Sequence, residues 1–247
     1  MAADRASFRT LHRQLAARPQ AVSNGRAVHA RLRPLGGEPV VLRCGTSDPQ
    51  VVWDTFVGGY HLPLRPLSES GNPLIVDLGA NVGLTMAHFA VLYPGARIVG
   101  VELDAANAEL CRTNTAPWAR RCTVVQAAVW PEDGEIHYSH HAGDEWGFRV
   151  ERSAVAGHAV ARSMSLQTLF DEQAGDRPVD YLKMDIEGAE REVLRSHTGW
   201  AAQVRQIGVE IHAPYTVREC LADLTALGFR AEVDRRHWAS VHGIRTP

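Results

Sequence analysis

The sequence has almost no lysine. Of its 26 basic residues, Lys183 is the lone lysine and the others are arginine. Arginine bias of this kind reflects genomic composition, so a lysine that escapes it is conspicuous. Cysteine is scarce too. Cys44, Cys111, Cys122 and Cys220 have neither CxxC spacing nor a dense framework, which excludes a cysteine metal site and a disulfide scaffold. Reduced, buried thiols in a cytoplasmic protein are expected instead. No apolar run approaches the roughly 20 residues of a membrane span, and Met1-Ala2-Ala3-Asp4-Arg5 lacks the apolar core of a signal peptide. No membrane partner is expected. Neither charge sign dominates. The 26 basic and 28 acidic residues leave a net charge of −2, which argues against a nucleic-acid protein held by bulk electrostatics.

What is present is globular. The 247 residues, 45% hydrophobic, suffice for one well-buried domain with additions. Residues 1–70 read as an N-terminal extension. Phe8, Leu11 and Leu15 recur at helical spacing over residues 5–17, with Arg5, Arg9 and Arg13 on another face. Residues 27–33 and 39–43 flank Pro34-Leu35-Gly36-Gly37 and predict a hairpin. A helix follows, capped by Ser47 or Asp48 with Pro49 at its first position and carrying Val51, Val52, Trp53, Phe56 and Val57. This extension is expected chiefly to pack on the core, with aromatics available to cover a site.

From residue 74 strands and helices alternate, which implies an α/β fold with a mostly parallel sheet and helices on both faces. Strands are expected at 74–78, 97–101, 122–125, 181–184 and 204–211, with a closing antiparallel pair at 229–233 and 238–241. Residues 130–170 form an insertion. Ile136-His137-Tyr138-Ser139 reads as a strand, and the Gly- and His-rich run around His140 and His141 as a mobile loop.

The organising stretch is Leu74-Ile75-Val76-Asp77-Leu78-Gly79-Ala80-Asn81-Val82-Gly83, a buried strand that turns through glycines into a helix. Free backbone N–H groups at such a turn hold anionic or polar groups. The dinucleotide G-x-G-x-x-G pattern fails, because Asn81 and Leu84 stand where glycines are required. A nicotinamide enzyme is therefore excluded. Ligands of open α/β sheets lie outside the carboxyl ends of the strands. Asp77, Glu102, Gln126, Asp185, Glu210 and His212 all fall at such ends.

With Leu182-Lys183-Met184-Asp185-Ile186-Glu187-Gly188-Ala189-Glu190, the Asp77–Gly83 turn resembles the FkbM-type methyltransferase family, a class I S-adenosylmethionine-dependent group. Leu42-Arg43-Cys44-Gly45-Thr46-Ser47-Asp48 is similar to an upstream segment of that family, so the resemblance runs from about residue 40 to about 230. Val101-Glu102-Leu103-Asp104 keeps the acid but not the proline of the family's usual Phe-Glu-Pro. The resemblance implies a Rossmann-like seven-stranded sheet in the order 3-2-1-4-5-7-6. It implies S-adenosylmethionine as cofactor, contacted by Asp77, Gly79, Ala80, Asn81, Gly83, Glu102, Leu103, Gln126, Ala127 and Asp185. It also implies methylation of a small-molecule hydroxyl.

Such a hydroxyl must lose its proton. His212 is the candidate base, against an equally weighted structural role, and Asp185 and Glu187 share its mouth. Glu190 reads as structural. Asp185 with Glu210, joined by His212, is a minority candidate for Mg²⁺. A nitrogen or carbon acceptor, or a non-catalytic cofactor- or sugar-binding relative, remains an alternative. A homo-oligomer is compatible with the sequence.

Overall fold

The computed structural model describes residues 27–67, 71–140, 148–151 and 159–245. The helix expected at 5–17 and most of the loop around His141 lie outside these. The extension opens with a hairpin, β1 (Ala27–Arg31) and β2 (Pro39–Arg43), paired antiparallel with Ala27 opposite Arg43. Gly36 and Gly37 take positive φ in its turn, where a side chain would be strained. Helix α1 (Asp48–Trp53) follows and widens into one π-helical turn, Asp54–Gly58.

The core begins with β3 (Leu74–Leu78), α2 (Leu84–Leu92), β4 (Arg97–Glu102), α3 (Ala105–Thr115) and β5 (Cys122–Gln126). Asp104 caps α3 by accepting from Asn107 N–H. The insertion holds β6 (Ala128–Val129), β7 (Gly134–His140), β8 (Phe148–Glu151) and β9 (Ala159–Met164). These form a separate sheet in the order β6-β9-β7-β8, more strand than the sequence led one to expect. The chain then returns through α4 (Leu166–Gln173), β10 (Tyr181–Met184), α5 (Glu190–Arg195), β11 (Gln206–Glu210), α6 (Val217–Ala226), β12 (Phe229–Val233) and β13 (Ser240–Arg245).

The main sheet runs β5-β4-β3-β10-β11-β13-β12, the expected 3-2-1-4-5-7-6. Six of its strands run one way, and β13 runs against them between β11 and β12. Side-chain alternation divides its two faces. Leu74, Val76 and Leu78 join one core with Phe170 of α4, Val193 of α5 and Leu224 of α6. Ile75, Ile98 and Tyr181 join another with Met86 and Phe89 of α2 and Cys111 of α3. Asp77 and Lys183 share parity with Ile75 and Tyr181, so both charges fall on the α2–α3 face.

The extension packs on this face through a third cluster, in which Leu35, Leu42 and Val52 meet Val82, Leu84 and Ala87. Polar ties reinforce it. Asn114 accepts from Val41 N–H at 2.7 Å and donates to Val41 and Val82 carbonyls. Fully buried Asp48 accepts from the Arg43 backbone N–H and guanidinium, both at 2.7 Å, while Arg43 Nη1 donates to Asn107 Oδ1 at 2.8 Å. Removing the carboxylate strands a half-buried guanidinium. Asp48→Ala is expected to lower stability by about 3 kcal/mol, read as a fall in the urea midpoint.

Candidate functional site

Two cavities open at the carboxyl ends of the parallel strands. The first lies over β3, β4 and β5. Glu102, Asn107, Val101, Leu103 and Ala127 line it. The second, of about 440 Å³, lies between the sheet and the extension. Asp54, Tyr60 and His61 form one wall, with Lys183, Glu210 and His212 opposite. Gly79, Asn81, Asp185 and Glu187 line both cavities, so one partition separates them.

Close packing fixes that partition. Gly79 has φ +77°, and a Cβ there would lie 1.7 Å from the Asp185 carbonyl oxygen. Asn81 adopts φ 47°, in the left-handed region that asparagine tolerates, and donates its N–H to Glu102 Oε2 at 2.8 Å. Glu102 Oε1 accepts the Asp104 N–H at 2.9 Å. Glu102 is thus a buried bracket between two loops. Burial pushes its carboxyl up to about 7, against the lowering effect of the two backbone N–H groups.

Three expected contacts stand elsewhere. Asp77 is not at a strand tip. It sits one residue inside β3, fully buried, with Lys183 Nζ 3.3 Å from its Oδ1, and lines neither cavity. Gly83 is the left-handed N-cap of α2, and its missing Cβ makes room for Cys111. Gln126 ends β5 exposed to solvent. Ala127 bonds back to the Glu102 carbonyl and lines the first cavity together with Ala128 and Val129.

The charged group between the cavities is built around two cations. Lys183 is buried, with Asp77 at 3.3 Å on one side and Asp185 at 3.1 Å on the other. Burial opposes its charge, but Asp185 and Asp77 outweigh this and hold it protonated. Fully buried Glu190 accepts from the Ile186 and Gly188 N–H groups and lies 2.9 Å from His212 Nδ1. The opposite nitrogen, Nε2, lies 3.4 Å from Glu187 and 3.7 Å from Asp185. Burial disfavours a charged imidazole, yet the Glu190 hydrogen bond, Asp185 and Glu187 prevail and push His212 up to about 10.

These acids draw His212 towards its charged form, which works against the role of free base expected of it. Burial, then Asp185, raise Glu187 to about 7 and Glu210 to about 8. The expected metal pair also changes. Among the described residues, Asp185, Glu187 and His212 bring ligand atoms within 4.8 Å of one another, and Glu210 is not one of the group. Glu187 joins because its left-handed backbone, φ 56°, turns the chain immediately beyond β10.

The sequence reading missed Glu190 as the partner of His212, although its place three residues after Glu187 in a first helical turn was a usable signal. Tyr60 is one of the extension's aromatics that the sequence offered to a site, whereas nothing singled out His61, which only the tertiary fold brings to the strand ends.

Several known proteins are similar to this chain. The methyltransferase FkbM domain matches residues 77–231. The chain is 28% identical over 149 residues to the 2-O-methyltransferase NoeI of Sinorhizobium fredii (strain NBRC 101917 / NGR234), covering 54% of this chain and 61% of NoeI. It is 28% identical over 204 residues to methyltransferase sdnD of Sordaria araneosa, covering 68% and 78% of the two. Among solved structures, precorrin-6y C5,15-methyltransferase from Geobacter metallireducens GS-15 is 13% identical, covering 76% of this chain and 86% of that one at a TM-score of 0.47. The methyltransferase SibL in its apo form is 12% identical, covering 81% and 57% at 0.46. The matched domain spans the Asp77–Gly83 turn, the Leu182–Glu190 run and both cation-centred clusters, and the chain belongs to the FkbM methyltransferase family.

Proposed function

We propose that the chain transfers a methyl group from S-adenosylmethionine to a hydroxyl of a small molecule. One observation carries this reading: the two cavities meet at Gly79, Asn81, Asp185 and Glu187, so occupants of the two would face each other across one partition. The name of NoeI, a 2-O-methyltransferase, supports oxygen as the acceptor atom.

When bound, S-adenosylmethionine supplies a methyl group on a sulfonium sulfur. The first cavity fits that molecule. Glu102 accepts two backbone N–H groups and the Asn107 side chain, and its remaining acceptor capacity faces the ribose hydroxyls. Val101, Leu103, Ala127 and Val129 offer an apolar slot for a purine. Asp185 and Glu187 put negative charge where a sulfonium and an amino group need it. Glu102→Ala is expected to weaken S-adenosylhomocysteine binding at least about tenfold in calorimetry; unchanged affinity would remove Glu102 from the cofactor site.

The second cavity holds the acceptor. Much of the acceleration comes from orienting two reactants, on the order of 7–11 kcal/mol at best. The hydroxyl proton passes to Glu187. Cationic His212, fixed through Glu190, keeps an ionised Glu187 in place. Because Glu187 accepts a proton only when ionised, the rate is expected to rise as pH passes about 7. Glu187→Gln is expected to lower kcat by about 10²-fold and to abolish that rise, both measurable from pH–rate profiles with labelled cofactor.

A divalent cation at Asp185, Glu187 and His212 is a second reading, favoured by their mutual approach within 4.8 Å. A mixed oxygen and imidazole set suits Mn²⁺ or Zn²⁺ better than Mg²⁺. Full activity is expected to survive EDTA; loss on chelation with recovery on added Mn²⁺ would establish the second reading.

A further inference from the structure

The charges lining the second cavity do not balance. Four carboxylates border it, Asp54, Asp185, Glu187 and Glu210, against Lys183 and His212. Both cations are already engaged, Lys183 by Asp77 and Asp185 and His212 by Glu190, Glu187 and Asp185. Among the described residues, Asp54 and Glu210 have no ion-pair partner. The hydrogen bonds to Asp54 come from the neutral Gln50 amide, at 2.9 and 3.1 Å. Both acids act on the Tyr60 hydroxyl: burial, then Glu210 and Asp54, raise its pKa. All three residues line this cavity, and Tyr60 and Glu210 also line a smaller adjoining one.

A separate observation points to a polar occupant. His61 lines the cavity and is 4% exposed. Its Nε2 lies 3.0 Å from His88 Nδ1, while its buried Nδ1 has no partner among the described residues. Burial, His88 and Lys183 keep this imidazole neutral. A buried polar atom without a partner costs free energy, which a ligand hydroxyl would recover.

We propose that the acceptor is a hydroxylated amine, such as an amino sugar or amino alcohol, with its ammonium beside Asp54, Glu210 and the Tyr60 ring and a hydroxyl against His61. This rests on the second cavity being the acceptor site. An anionic acceptor meets four carboxylates. A neutral polyol leaves Asp54 unpaired and Glu210 holding the proton that burial and Asp185 favour, whereas a cation beside them would draw both into the ionised form. A metal ion at Asp185, Glu187 and His212 leaves those same two acids unmatched. An ammonium answers both and finds an aromatic face as well.

The test uses the full chain loaded with S-adenosylhomocysteine, whose own binding is measured first. Matched probes are then titrated by calorimetry: glucosamine against glucose, 2-aminocyclohexanol against cyclohexane-1,2-diol, and glucuronic acid alone. At least one amine is expected to bind about tenfold or more tightly than its neutral partner, and glucuronic acid not at all. Asp54→Asn and Glu210→Gln are each expected to bring that ratio toward one while S-adenosylhomocysteine affinity stays at the parent value. Equal affinities within both pairs, binding of glucuronic acid, or no amine binding to the loaded protein overturns the amine assignment alone. Failure of S-adenosylhomocysteine to bind folded protein overturns the methyltransferase reading, and this inference with it.

Discussion

The site depends on one buried ammonium. Lys183 lies inside a parallel strand with Asp77 on one side and Asp185 on the other, and its Nζ is 3.3 Å from the Gly79 carbonyl oxygen. Without it two carboxylates would face each other across adjacent strand ends in a poorly solvated place. An ammonium is compact and directs three donors into a small space, whereas a guanidinium is a broad plane. Gly79 has no room to yield, since its missing Cβ is occupied by the Asp185 carbonyl. The lone lysine of an arginine-rich chain is thus explained by its volume as much as by its charge.

Around that ammonium the remaining charges arrange themselves in order of burial. Glu190 and Asp77 are fully enclosed and each answers a cation. Glu187, Asp185 and Glu210 are partly open and face the cavities. Enclosed acids set the charge and orientation of the cations, and the open ones present their carboxyl groups to the cavities. His212 illustrates the division. Its inner nitrogen is bound to Glu190, so its outer nitrogen has a fixed direction and its charge belongs to the cluster.

Much of the fold could be read before the structure was known. β3, β4, β10 and β11 are apolar, partly β-branched runs between glycine- or proline-bearing turns, and such runs declare themselves. Strand-end chemistry was partly readable. Glu102, Asp185, Glu187 and His212 stand where the pattern put them, because a strand tip is a local property. Asp77 was misplaced because one residue of alternation sends its side chain under α2 and α3, and the strand's end cannot be located to that accuracy by hydrophobicity. Gln126 failed for the related reason that β5 ends by turning its last side chain outward. The close approach of Glu187 to His212 depends on a left-handed backbone at 187, which no propensity predicts for a glutamate. Tyr60 and His61 reach the site through an extension whose docking is wholly tertiary.

The fastening of that extension carries a consequence. Asn114 bonds to both sides of Val41, Arg43 reaches Asn107, and Asn107 belongs to the first cavity's own wall. Hairpin, α1 and α3 therefore share footings, and the surface bearing Asp54 and Tyr60 is tied to the wall of the first cavity. The two cavities are thus walled by elements bolted to one another, and whatever enters the second is measured against a wall that hairpin, α1 and α3 hold in common.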